Sequence, residues 1–191
     1  MLKTRLLPVL ALLALTPLGL THAAEFSVPQ IDKSRIGFTF KQMGVAVDGS
    51  FRRFTPTIRF DPAQPDKAST TLEIDLASID AGSDEANDEV KNPAWFNTKA
   101  YPTARFVSSS VKSLGGGRYE VSGTMTIKGR SKPVSSAFAF KQEGSLAVFE
   151  GAFVLKRADF AIGEGAWADF GTVANEIQIR FRVLAAPAAR K

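Results

Sequence analysis

Apolar and polar side chains alternate one for one along most of this chain. From Tyr119 to Ile127 the odd positions Tyr119, Val121, Gly123, Met125 and Ile127 are apolar or small, and the even positions are polar. From Asn175 to Val183, Ile177, Ile179, Phe181 and Val183 alternate with Glu176, Gln178, Arg180 and Arg182. A period of two marks a strand with one dry face and one wet face. Weaker versions run over Phe26 to Ile31, Ser34 to Lys41, Val45 to Phe54, Thr57 to Phe60, Thr70 to Leu76, Thr103 to Val111, Val134 to Phe140 and Ala147 to Leu155. Asp61-Pro62, Gly115-Gly116-Gly117, Lys128-Gly129 and Glu143-Gly144-Ser145 supply turns between them. The pattern predicts an all-β fold of eight to ten antiparallel strands.

Two stretches break the rhythm. Ser83 to Lys91 offers an N-cap serine, acids in the first turn and a lysine near the end, followed by Asn92-Pro93, and so predicts one short helix with Trp95 and Phe96 just beyond it. Gly163 to Gly171 places Trp167 and Phe170 in a glycine-rich loop, where both rings stay wet unless they fold back onto something apolar. These two stretches are expected to form lids over one end of the sheet.

The N-terminus changes the picture of where this sheet works. Lys3 and Arg5 precede an apolar run from Leu6 to Leu20, and Thr21-His22-Ala23 ends in a small residue. Residues 1–23 therefore read as a secretory signal peptide, too short in its apolar part for a membrane span. Cleavage would remove His22, the only histidine, from a chain that has no cysteine at all. Thiolate and imidazole metal ligands, disulfides and every catalytic scheme that needs His or Cys are then excluded. No metal or other cofactor is expected, the mature chain has no lipid-modified cysteine to anchor it to a membrane, and the compartment is expected to be periplasmic. The single domain should span residues 24–184, with an alanine-rich flexible tail over residues 185–191.

Charge adds little. Lys3 and Arg5 are two of 24 basic residues, and the rest outnumber the 19 acidic ones by three, scattered singly along the strands. That distribution does not form a nucleic-acid surface. Aromatic content says more: all 15 phenylalanines follow the N-terminal segment. Such a load fills a tight core or walls an apolar cavity. Eight or more antiparallel strands can close into a barrel with room inside for side chains or for one small ligand. Gly49, Gly123 and Gly151 fall at inward positions among the phenylalanines, as kinks or as sites that leave open volume.

The order and spacing of several pieces resemble the YceI-like family. They include Val47-x-Gly49-x-Phe51-x-x-Phe54, Asn87-Asp88-Glu89, Trp95-Phe96, Tyr101-Pro102, Met125-Thr126-Ile127-x-Gly129-x-x-Lys132-Pro133-Val134 and Arg157-x-Asp159-Phe160-x-Ile162-Gly163. The resemblance runs from about Phe26 to Val183. It implies a secreted lipocalin-like barrel, often a homodimer, that holds a polyisoprenoid, quinone or fatty amide in an apolar tunnel. Where many relatives have a histidine after the first long strand, this chain has Gln42-Met43.

Strand parity marks Phe38, Phe40, Val47, Phe51, Leu72 and Ile74 as inward cavity residues, along with Phe106, Val121, Met125, Phe138, Phe140 and Phe153. Loop position puts Met43, Trp95, Phe96 and Trp167 near the mouth. Arg157 and Asp159, two apart in what reads as a strand, are expected to form a structural ion pair. Two other readings stay open. One is a non-catalytic interaction module with a filled core. The other is a glycoside hydrolase using two carboxylates such as Asp75 with Asp80 or Glu164 with Asp169.

Overall fold

The alternating stretches become strands in the computed structural model, which describes residues 25–189. The expected signal segment lies outside the described residues. The strands are β1 (Phe26–Pro29), β2 (Arg35–Gln42), β3 (Val45–Phe51), β4 (Phe54–Arg59), β5 (Ser69–Asp75), β6 (Ile79–Asp80), β7 (Thr103–Gly115), β8 (Arg118–Ile127), β9 (Arg130–Glu143), β10 (Leu146–Lys156) and β11 (Glu176–Pro187). Ten of them form one antiparallel path in the order β4, β5, β7, β8, β9, β10, β11, β2, β3, β6, and β1 sits beside β11. The predicted fold class is the observed one: an all-β antiparallel sheet with, among the described residues, one short α-helix, curled into a half-barrel.

Closure depends on short pieces that alternation alone does not reveal. Arg52 and Arg53 interrupt what reads as one strand and turn the chain from β3 into β4. There the Arg52 amide donates to the Ser78 carbonyl (3.1 Å) and the Asp75 amide to the Arg53 carbonyl (3.1 Å). At the other end β1 bridges the gap between β11 and the end of β4, with Phe26 and Phe60 exchanging backbone bonds of 2.8 and 3.1 Å. The Phe26–Phe60 bridge and the turn contacts at Arg52-Arg53 thus shorten the stretch of edge left open to pairing with another chain.

β11 also corrects the expected tail. Ala185, Ala186 and Pro187 pair with Pro29, Val28 and Phe26, and Ala185 lies opposite Ala147 with no exposure of either. Alanine here is a small side chain fitted between packed strands and not a sign of a loose end. Helix α1 (Asp84–Glu89) forms where the capping pattern placed it: Ser83 Oγ accepts the Ala86 amide proton at 3.2 Å, and Asp84 and Glu85 occupy the first turn.

The interior divides in two along the strands. Phe26, Phe60, Val111, Tyr119, Phe138 and Phe149 pack with Ala147 and Ala185 into a solid plug at one end. Phe60 meets Tyr119 and Phe149 edge to face, each at 5.1 Å, and Tyr119 stacks on Phe138 at 5.4 Å. Following β8 away from this plug, Met125 and Ile127 join a second cluster with Ile36, Ile74, Leu76, Trp95 and Phe160. The second cluster surrounds open space.

Candidate functional site: an apolar cavity under two tryptophans

That space is a cavity of about 680 Å³, within the size range of small-molecule sites. Its wall reaches from Phe60, Phe138 and Phe149 of the plug to Trp95 and Trp167 at the opposite end. Phe149, Phe153 and Leu155 all line it, and six strand steps at ~3.3 Å each carry that wall ~20 Å along β10. An elongated apolar chain matches this shape better than a compact polar molecule does.

Most of the expected lining residues are in place. Phe38, Phe40, Phe51, Leu72, Ile74 and Phe106 contribute to the wall, as do Met125, Phe138 and Phe153. Of the expected mouth residues, Trp95, Phe96 and Trp167 line the cavity. Four expectations are corrected. Val121 and Phe140 point inward as parity requires, but they lie at the plug end and pack against its rings, outside the cavity wall. Val47 sits toward Gly82 at the approach to α1. Met43 occupies the left-handed position of the β2–β3 turn (φ 49°) and is 74% exposed.

Other wall residues came unsought. Ile177, Ile179, Phe181 and Val183 of β11 line the cavity with the parity already legible in the sequence. Phe160 enters from the end of a 3₁₀ turn and Ile162 and Val173 from backbone outside the strands, where no periodicity announces them.

The three inward glycines explain how rings can crowd a wall without filling the cavity. A β-carbon at Gly151 would come within 2.5 Å of the Phe181 ring and 2.6 Å of the Ala137 carbonyl oxygen. Gly123 stands in the same relation to the Phe106 ring and the Val107 carbonyl, and Gly49 to the Phe38 ring and the Asp80 carbonyl. Each glycine thus leaves the tip of a neighbouring phenylalanine ring room against bare backbone.

The two lids are tied to each other. The Trp167 indole N–H donates to Glu89 Oε1 at 2.8 Å, and the Trp95 and Trp167 rings are 5.4 Å apart. The Gly163 and Glu164 amides both donate to the Ala94 carbonyl at 2.8 Å. Lys128 Nζ donates to Pro93 O (2.8 Å), Ala161 O (2.7 Å) and Glu164 Oε2 (2.9 Å), and this contact holds the Glu164 carboxyl below its ordinary range.

Arg157 is the buried centre of the second lid, 2% exposed. It does not pair with Asp159 in a strand, as the sequence suggested, because β10 ends at Lys156 and a 3₁₀ turn begins at Arg157. Its guanidinium donates to the carbonyls of Ile162 (2.8 Å), Gly163 (2.8 Å), Trp167 (2.8 Å), Val173 (2.8 Å) and Ala174 (3.2 Å). The cation lies 5.8 Å from the Trp95 ring and 5.1 Å from that of Phe170. Burial lowers its pKa below the ordinary arginine value, and Asp169 opposes that shift. A planar fork of five donors is the group suited to fastening several carbonyls at once.

The carboxylates considered for hydrolysis are occupied elsewhere. Asp75 pairs with Arg53 (2.7 Å), Asp80 with Arg52 (2.6 Å) and Glu164 with Lys128, while Asp169 Oδ1 accepts the Gly171 amide proton at 2.9 Å. None of the four lines the cavity; Glu85 and Glu89 of α1 do. Among the described residues no group of three or more His, Asp or Glu side chains could hold a metal ion.

Comparison with known proteins agrees with this architecture. A family model described as the YceI-like domain matches residues 29–185. The chain is 39% identical to Burkholderia cenocepacia BcnA, whose crystal structure superposes with a TM-score of 0.81 over 83% of this chain and 99% of that one. It is 29% identical over 174 residues to a UPF0312 protein of Azotobacter vinelandii, covering 87% of this chain and 88% of the relative. A polyisoprenoid binding domain from Saccharophagus degradans shares the fold at a TM-score of 0.67 and 16% identity, over 86% of this chain and 99% of that domain. By its matched span and its relatives alike, the chain belongs to the YceI-like family.

Proposed function

We propose that this protein is a non-enzymatic periplasmic carrier that holds a polyisoprenoid, or another long-chain amphiphile such as a quinone or fatty amide, inside the half-barrel. The observation that carries this reading is the elongated cavity of about 680 Å³ walled by phenylalanine and aliphatic side chains. Burying a chain there gains ~0.8 kcal/mol per CH₂ before the costs of ordering and association are subtracted. Few polar contacts are then needed for useful affinity. The fold shared with a polyisoprenoid binding domain supports the same class of ligand. A carrier is favoured over a hydrolase because the paired aspartates and glutamates proposed for catalysis stabilise surface turns and lids instead of facing the cavity.

Native mass spectrometry on protein purified from the periplasm of its own host tests this. The expected result is an apolar adduct of defined mass released by organic solvent. Repeated recovery of bare polypeptide would overturn the carrier reading. The same spectra report whether two copies associate, as the family resemblance implies.

A further inference from the structure

At the plug end the cavity stops on three rings. Phe60, Phe138 and Phe149 line it, and all three are buried. Their centroids form a triangle with sides of 5.1, 6.2 and 6.0 Å, drawn from the bridge after β4, from β9 and from β10. Tyr119 stacks on Phe138 and meets Phe60 edge to face, and with Val111, Ala147 and Ala185 it borders no part of the cavity. The triangle is therefore a floor, with open space on one face and close-packed side chains on the other.

Strand register sets the depth of this floor. Gly151 pairs with Phe138, so Phe149 lies one inward step deeper along β10, while Ser136 lies one inward step nearer the lids along β9. Ser136 is the small side chain in the wall just above the rings, buried, with its hydroxyl donating to the Ala137 carbonyl at 3.1 Å. Beside the rings the wall turns polar: Arg59 is tied to Glu25 at 3.1 Å, and the Thr70 hydroxyl donates to the Thr57 carbonyl at 2.8 Å. An apolar chain end gains by resting on the rings and loses by pressing into that polar flank. We propose that Phe60, Phe138 and Phe149 determine which ligand lengths are accepted: the tail of the carried amphiphile ends against them, and Ser136 leaves room for its last unit. This inference rests on the carrier reading but goes further, since an apolar cavity alone does not say which side chains stop the chain.

Isoprenoid quinones of increasing chain length, titrated into delipidated protein, read the length at which affinity stops rising. An isoprene unit has about as many carbons as a phenyl ring, and the dry cavity left by a deleted ring accepts an apolar group of that size. In Phe149→Ala the limit should move up by about one unit, and the unit that adds nothing in wild-type protein should add about tenfold. In Ser136→Leu, which leaves the plug intact, the limit should move down by about one unit while shorter chains bind within about twofold of wild type. The opposite signs separate a floor from general damage, because an impaired fold weakens every length alike. Should either variant fail to fold, Phe149→Leu and Ser136→Val replace them with smaller shifts of the same sign. A limit that stays at the wild-type length in the folded variants, or equal weakening at every length, would overturn the floor while leaving the carrier reading intact. Failure of wild-type protein to take up a quinone of any length would overturn both.

Discussion

At the scale of single residues, the account depends on side chains that are missing as much as on those present. Gly123 lies under the Phe106 ring and against the Val107 carbonyl, so even a methyl group there must displace backbone. Gly123→Ala is expected to cost ~1–3 kcal/mol, in line with other over-packed interiors, and urea unfolding measures it directly. Arg157→Lys offers at most three donors where the guanidinium now satisfies five carbonyls. It should destabilise by ~2–4 kcal/mol through orphaned buried oxygens, again read from the urea midpoint. Parity in the sequence was sufficient to place Phe38, Phe106, Met125 and Phe153 on the cavity wall, because a strand residue has only two directions to point. It could not place Val121 or Phe140, whose direction was right and whose depth was wrong. Depth depends on where the aromatic plug ends, a matter of packing between strands distant in sequence. Arg157 was read as a strand partner of Asp159 for a related reason: the carbonyls that surround it come from positions up to 17 residues away.

Among the elements, the lids are the parts with least ladder and most side-chain tethering. The Trp167–Glu89 bond joins the loop at Gly163–Gly171 to α1 across 78 positions of sequence. Glu89→Ala should release the loop, raising amide exchange over Gly163–Gly171 by a factor of about ten, the equivalent of one hydrogen bond to a charged group. Exchange over β8 and β10 should not change. Acid should act on the tethers too. Thr39 and Arg180 lower the pKa of Asp48, the Arg52 hydrogen bond lowers that of Asp80, and the Lys128 hydrogen bond lowers that of Glu164. Each binds protons less readily in the folded state than in the unfolded chain. Their contribution is therefore present above the ordinary values, 3.8 for the two aspartates and 4.5 for the glutamate, and is lost as pH falls below these toward the depressed folded values. Urea midpoints taken from pH 7 to pH 3 should fall on the acid side, and the fall should be shallower in Glu164→Gln. The helix and the turns were legible from capping and glycine chemistry, which act locally. β6 and the break at Arg52-Arg53 were not, since both exist only to close the sheet.

For the whole molecule, one sheet does two jobs at its two ends: a plug of stacked rings stabilises the fold, and an aromatic wall encloses open space. Belonging to the YceI-like family fits that division, and so does a lining in which phenylalanine and aliphatic side chains far outnumber the ionisable Arg59, Glu85, Glu89 and Arg157. A filled-core interaction module would need the wall phenylalanines to meet one another across the barrel; among the described residues Phe60 meets Phe138 and Phe149 at the plug end, and the Phe38–Phe51 contact at 5.3 Å joins neighbouring strands. If the enclosed length sets what is carried, affinity must follow chain length. The decisive measurement is calorimetric titration of delipidated protein with isoprenoid quinones of increasing chain length. Affinity should rise about tenfold or more with each added five-carbon unit, a fraction of the gross ~0.8 kcal/mol per CH₂, and then level off once the cavity is full. Affinity independent of chain length, or no uptake at any length, would contradict the account.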